Sequence, residues 1–316
     1  MINFVFPALF AVFSMAAAPA DPSLSFNANF DAYSVKANFA CGEASSRKFG
    51  EESLQLRMWP GAYGNVNSLA YSKSECCAYA LKDNFDPRQG TVSFWVSSLG
   101  WKPSAKVFQW FLTARQKGFV LHVYKYVWGE YLMFYIETPG PDGKPRRFTA
   151  SARMADEDWA SGRWHKIDAT WNSNGMKLYI DGVMPQAYRP SRGAPAVPKC
   201  DFPQPVAFPT ATADGEIVIN SCPAVKGAEK DERTAIDDLK VYVRALSADE
   251  IRSAYVKVVP STFGTKGVKP VAGIPPLRSA VTLDGTIGEE EWVDASRLMI
   301  ANVAPFSKVR DTMLSG

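Results

Sequence analysis

His122, Tyr124, Tyr126 and Trp128 recur at every second position, while Phe119, Leu121, Val123 and Val127 hold the other phase. In a strand, successive side chains point to opposite faces, so the aliphatic phase suits a core and the aromatic phase an outer sheet face. Rings with a polar edge suit sugars, because the ring face stacks on C–H groups while the edge hydrogen-bonds hydroxyls. Trp101 and Trp110, close by in sequence, would extend such a platform. The same stripe equally fits a second buried face, or one covered by a loop such as 185–209. Burial is the commoner fate of aromatic side chains, whereas an exposed aromatic patch marks a site.

Asp237 is the second residue with chemical weight. In Ile236 to Val243 (IDDLKVYV) it shares its phase with Leu239, Val241 and Val243, which points it inward at the start of a strand. A buried carboxylate needs backbone amides, a basic residue or a cation, since an unpaired buried charge is very costly. Catalytic arrangements are harder to find. Glycoside hydrolysis needs two carboxylates flanking one bond, about 5 Å apart in retaining enzymes. Asp156-Glu157-Asp158 falls in a loop, and the adjacent Asp237 and Asp238 point to opposite faces. The chain has two histidines, and His165 shares its phase with Ile167 and Ala169, so a His-based nucleophilic triad lacks support. No glycine-rich phosphate loop follows a strand, which leaves cofactor chemistry unsupported.

Positioning these residues falls to strands. Gly162 to Gly182 (GRWHKIDATWNSNGMKLYIDG) reads as two alternating runs joined by an Asn174-Gly175 turn and closed by Asp181-Gly182. Further strands are expected at 24–40, 53–58, within 65–81, and at 91–96, 107–113, 119–128, 131–137, 148–154, 216–220 and 236–243. Pro185 to Pro209 carries seven prolines and reads as a long surface loop. One helix is expected from Ser247. There Ser247 and Glu250 form a capping box, and Ile251, Ala254 and Tyr255 give one apolar face. Many strands, regular turns and little helix indicate an all-β sandwich.

Composition agrees: 316 residues, 47% hydrophobic and 13% aromatic, are enough for a sandwich of 200–250 residues plus a smaller unit. The net charge of +3, with no long basic run, gives nucleic acid no electrostatic footprint. Residues 1–20 read as a signal peptide: 2–18 carry no charge, and Ala18-Pro19-Ala20 fits a cleavage site. Pro7 and the short apolar length argue against an uncleaved anchor, so no membrane span is expected in the mature chain. Export permits disulfides. Cys200 with Cys222 is the first pairing expected, and Cys41 with Cys76 or Cys77 the second, which leaves one odd thiol. The 260–276 stretch is a Gly/Pro linker.

The pattern Trp164-His165-x-Ile167-x-x-x-Trp171, followed by Leu178-Tyr179-Ile180-Asp181-Gly182, resembles the laminin-G-like, concanavalin A-like jelly-roll domains of secreted proteins. Phe85 to Val96, Ile236 to Val243 and Arg244 to Ile251 resemble that family's early inner strand, closing strand and terminal helix, so the likeness spans roughly 24 to 258. It implies a jelly roll of two antiparallel sheets over 21–259. It also implies a structural Ca2+ beside Asp237, with oxygens from Asn29 or Asp31, as calcium is a hard cation served by carboxylates and carbonyls. Laminarinase-type glycosidases share the fold, but their strand motif of spaced carboxylates is absent here. Val281 to Ala295 resembles the opening of a DOMON-like or family-9-type carbohydrate-binding module, so 277–316 reads as the β-rich start of a second sandwich. The functional expectation is non-catalytic recognition of a glycan or a cell-surface or matrix protein, outside the cell or in a periplasm. The alternatives are an accessory region of a larger polysaccharide-degrading enzyme and a structural spacer, since one fold hosts many functions.

Overall fold

The computed structural model describes residues 21–32, 34–49, 57–63, 65–72, 76–140, 142–186, 197–202, 206–220 and 233–259. The expected leader, linker and second module, together with Cys222, lie outside them. The strands are β1 (Leu24–Ala28), β2 (Phe39–Ala40), β3 (Ser46–Phe49), β4 (Arg57–Pro60), β5 (Asn67–Ser72), β6 (Cys76–Ala80), β7 (Gly90–Leu99) and β8 (Gln109–Gln116). They continue with β9 (Phe119–Lys125), β10 (Tyr131–Pro139), β11 (Pro145–Arg153), β12 (Trp164–Asn172), β13 (Gly175–Ile180), β14 (Lys199–Asp201), β15 (Glu216–Ile219) and β16 (Arg233–Tyr242). The helix α1 (Ala248–Val258) closes the described chain.

These strands form two antiparallel sheets, the jelly-roll sandwich expected. One sheet has the order β14-β13-β12-β7-β16-β1-β2, with β5 also on β16 and β4 on β5; the other has the order β11-β10-β9-β8-β15-β6-β3. Alternating residues of both inner faces fill the space between them. Phe94, Val96, Ile167, Trp171 and Val241 come from the nine-stranded sheet; Leu121, Val123, Phe134, Ile136 and Ile219 come from the seven-stranded one. His165 lies in this core phase at 2% exposure, with Nδ1 on Asp181 Oδ2 (2.8 Å), Nε2 on the Asp158 carbonyl (2.9 Å) and its ring stacked on Trp159. Asp181 thus does more than turn the chain. Its other oxygen accepts the Lys166 N–H at 2.9 Å.

The outer faces of the two sheets differ. Every residue of β7 is buried, because it is central and its outer side is also covered. Trp95 there packs against Tyr63 and Tyr255, bringing the 61–66 loop and α1 onto the sheet. The capping box of α1 forms as expected: Glu250 N–H donates to Ser247 Oγ (3.3 Å) and Ser247 N–H to Glu250 Oε2 (2.8 Å). The helix docks through Ile251 and Tyr255, while Ala254 is exposed. By contrast β10 alternates strictly between buried and half-buried residues, the pattern of a sheet with one open side.

The cysteines depart from expectation. Cys41, Cys76, Cys77 and Cys200 are free thiols. Cys41 is exposed just after β2 in one sheet, whereas Cys76 and Cys77 are buried on β6 in the other. Cys77 joins the core between the sheets, and Cys76 joins Ala78 and Val218 on the opposite side. Thus Cys41 bridges neither Cys76 nor Cys77: it lies exposed at the surface, while both of them are buried on β6.

Candidate functional site

The open side of the seven-stranded sheet can be built row by row from strand register. The first row runs Arg147, Glu137, Val120, Arg115, Glu216 across β11, β10, β9, β8 and β15. The second runs Thr149, Tyr135, His122, Thr113, Val218, and the third Ser151, Met133, Tyr124, Trp110. Beyond the end of β9, Tyr126 takes its place beside Tyr131 through an N–H···O bond of 2.8 Å.

Trp110 owes its place in the third row to a β-bulge. The register against β9 shifts between Trp110, opposite Tyr124, and Leu112, opposite Val123. Phe111 is the extra residue and points into the core at 0% exposure. In an unbulged strand of this sequence Trp110, two residues before Leu112, would share its buried phase, and the bulge breaks that phase.

The rings on this side touch one another. Trp110 lies 4.6 Å from Tyr124 and 4.9 Å from His122, centroid to centroid. Phe108 stacks on Trp110 at 5.6 Å and meets Tyr126 edge-on at 5.7 Å. His122 stacks on Tyr135 at 5.8 Å, and its Nδ1 shares a 2.9 Å hydrogen bond with Thr113 Oγ1. Burial lowers the His122 pKa to about 4, and the nearby Arg115 acts in the same direction. The imidazole is therefore neutral at physiological pH. Burial pushes the Tyr124 hydroxyl up to about 12. Tyr135 donates to Glu137 Oε2 at 2.5 Å, and this hydrogen bond, against the opposing effect of burial, helps hold the Glu137 carboxyl below its usual range.

Thus His122, Tyr124 and Tyr126 lie on one face as the alternation implies, Trp110 joins them at the bulge, and two other candidates do not. Trp101 is 1% exposed in the core between Phe111 and Trp159, with its Nε1–H donated to Thr234 Oγ1 at 3.0 Å. It follows Gly100, whose φ of 115° turns the chain back between the sheets, so strand phase does not extend to it. Trp128 lies past the end of β9, in the turn to β10, 62% exposed under the Lys106 ammonium 5.9 Å from its ring centroid. Phe108 and Tyr135 also belong to the face, and their signal in the sequence is the spacing of two in Phe108/Trp110 and Tyr131/Met133/Tyr135. The described part of the 185–209 loop packs elsewhere, with Phe202 on Phe148 and Phe208 on Phe119, both core-facing residues.

Asp237 does not point inward. The β16–β7 register shifts between Asp237, opposite Trp95, and Lys240, opposite Ser93. Asp238 takes the left-handed conformation at φ 45°. Ile236 and Leu239 both reach the core, and Asp237 faces outward beneath the 61–67 loop at 0% exposure. Its Oδ2 accepts from Ala62 N (2.8 Å) and Asn65 Nδ2 (3.0 Å), and its Oδ1 from Asp238 N (2.7 Å). Burial raises its pKa to about 7 against the pull of these three donors. Asp31 holds the far end of the same loop through Val66 N (2.7 Å) and Asn67 N (3.1 Å), and Asn29 Nδ2 donates to it at 3.1 Å. A cation needs lone pairs turned toward it, whereas here N–H groups occupy the Asp237 oxygens. Among the described residues no three His, Cys, Asp or Glu side chains stand together to hold a metal. Asp237, Asn29 and Asp31 therefore fit loop-capping groups and do not fit a calcium ligand set.

Two antiparallel sheets, with one outer face covered by a helix and the other aromatic and half-exposed along β10, define a concanavalin A-like β-sandwich. Residues 76–252, more than half of the chain, match the family described as the concanavalin A-like lectin/glucanases superfamily, and the chain belongs to it. No curated protein matches the chain. Similar solved structures include the receptor-binding domain of botulinum neurotoxin D, at 13% identity and a TM-score of 0.54, covering 74% of this chain and 52% of that one. The receptor-binding domain of the botulinum neurotoxin C/D mosaic serotype aligns at 13% identity and a TM-score of 0.53, covering 74% and 51%. The ligand-binding domain of botulinum neurotoxin serotype D in complex with N-acetylneuraminic acid aligns at 14% identity and 0.50, again covering 74% and 51%. The chain thus spans about half the length of these structures, and the likeness is one of fold.

Proposed function

We propose that this domain recognises carbohydrate without catalysis and that it belongs to an exported protein. The binding surface is the outer face of the seven-stranded sheet. The observation that carries this reading is the set of touching rings of Phe108, Trp110, His122, Tyr124 and Tyr126 on the open side of a rigid sheet. Such a platform offers apolar ring faces and polar ring edges together, which is what a sugar surface requires. The carboxylates of the same face support binding over hydrolysis. Glu137 and Glu216 share a row but are separated by β9 and β8, so about 14 Å lies between their strands at ordinary spacing. Glycoside hydrolysis works across about 5–9.5 Å. One solved neighbour of the same fold is in complex with N-acetylneuraminic acid, which makes sugar binding compatible with the scaffold without locating it here.

Titration of the full chain against a glycan panel tests the proposal, with Trp110→Ala and Tyr126→Ala as paired variants and melting curves as the control for folding. Loss of a central aromatic contact should weaken binding about tenfold or more, or roughly 1.4 kcal/mol. A protein that binds no glycan, or variants that bind as well as the parent, would overturn it. Export rests on the leader-like residues 1–20, and an amino terminus at Asp21 in protein recovered from outside the cytoplasm would verify it.

A further inference from the structure

We propose that the ligand of this aromatic face is an uncharged, hydroxyl-rich glycan and not an acidic one. This rests on the carbohydrate reading above and goes further by naming the charge class. It follows from which polar groups on the face are already engaged. Arg115 pairs with Glu216 (3.0 Å), Arg147 with Glu137 (2.8 Å) and Arg153 with Glu130 (3.0 Å). Each guanidinium on the face thus has its carboxylate beside it, and Glu137 is further held by the Tyr135 hydroxyl. Lys106 stands at the exposed edge over Trp128, outside the rows of rings.

The neutral groups are in the opposite state. Trp110 Nε1–H and the hydroxyls of Tyr124 and Tyr126 have no hydrogen-bond partner among the described residues. His122 uses Nδ1 on Thr113 and keeps Nε2 unspent. Whichever ring nitrogen carries the proton, Nε2 offers one further bond, as donor or as acceptor. These four edges lie on rings that touch in sequence across the second and third rows and on to Tyr126.

An acidic sugar docking here meets arginines whose charge is already balanced by a neighbouring carboxylate, so the face offers it no net attraction and sets each carboxylate beside the incoming anion. Sugar hydroxyls, which donate and accept, complete the four neutral edges with no ion pair disturbed. A purely apolar ligand would cover those edges and leave them unpaired, which is also unfavourable. The face therefore selects for hydroxyls and against both charge and bare hydrocarbon.

The test titrates the full chain with soluble uncharged polysaccharides (a β-glucan, a mannan, a xylan) and acidic ones (polygalacturonate, alginate, heparan sulfate) at low and high salt. Binding to an uncharged member is expected, changing less than about threefold with salt because no counter-ions are displaced. Affinity should also stay flat from pH 8 to 5, where His122 is neutral throughout. Tyr126→Phe, which removes only a hydroxyl, should weaken binding severalfold with no new salt dependence. Binding confined to acidic polysaccharides and abolished by Trp110→Ala would overturn the uncharged assignment while leaving the face as the binding site. No polysaccharide bound at all, or binding indifferent to Trp110→Ala, would remove both this inference and the proposed function.

Discussion

Asp237→Asn should change how stability depends on pH, by an amount that follows from the environment of the carboxyl. The group is fully buried beneath the 61–67 loop, and burial lifts its pKa to about 7. In the unfolded chain an aspartate titrates near 3.9, so between those two values the folded state holds a proton that the unfolded state has released. Stability contributed by this group is therefore fully present below about pH 4 and is lost as pH rises through 7. From pH 5 to pH 8 about two units of this window are crossed, which corresponds to a loss on the order of 3 kcal/mol. Asparagine does not titrate and keeps one acceptor for Ala62 and Asn65, while its amide faces the Asp238 N–H. The comparison is thus a difference of differences: urea unfolding of parent and variant at pH 5 and at pH 8. The parent should lead at pH 5, where its neutral carboxyl fits the site. The lead should shrink or reverse at pH 8, a change of about 3 kcal/mol between the two conditions. Parallel pH profiles would refute the reasoning. So would a parent that gains relative stability with pH and loses it to a chelator, which would mean that a cation holds the carboxylate.

Two other perturbations test the packing that frames the site. Trp101→Ala removes a core indole together with its bond to Thr234, and should cost about 3–5 kcal/mol in denaturant unfolding while leaving glycan affinity of the folded fraction unchanged; an affinity loss with normal stability would return Trp101 to the binding face. On the outer side of the nine-stranded sheet, Lys166 Nζ donates to Asp168 Oδ1 (2.5 Å) and Ser93 Oγ (2.8 Å), with both charges buried. Lys166→Met alone should cost about 3–5 kcal/mol by stranding the carboxylate, and adding Asp168→Leu should recover most of it; equal losses in single and double variants would show that the pair is not coupled.

The sequence was most legible where local rules act alone. The alternation of β9 and β10 identified two faces, and the Ser247/Glu250 box placed the start of α1, because both signals are complete within a few residues. Phase was misread where a bulge adds one residue. Asp237 was assigned to the side of Leu239 because nothing in the sequence marks Asp238 for a positive φ, a conformation that non-glycine residues adopt rarely. Trp101 failed for a related reason: phase does not carry past the Gly100 turn. The cysteine pairing required knowing that Cys41 ends up at the surface while Cys76 and Cys77 are buried, a long-range fact absent from any local pattern.

The bulges also explain why the site lies on one sheet and not the other. On the nine-stranded sheet the bulge at Asp238 turns a carboxylate outward, where it caps the 61–67 loop, and that loop with α1 closes over Trp95. On the seven-stranded sheet the bulge at Phe111 turns an indole outward, where Tyr124 and His122 receive it and where no described helix crosses. The same backbone device thus has opposite consequences, set by the side chain it exposes. A carboxylate recruits amides of its own chain, because leaving it unpaired under cover is costly. An indole with an unspent N–H tolerates water while free and gains from a ligand that can both stack and hydrogen-bond. The open face is for this reason the place where binding is expected, and Trp110, at its centre, is the side chain whose removal tests it most directly.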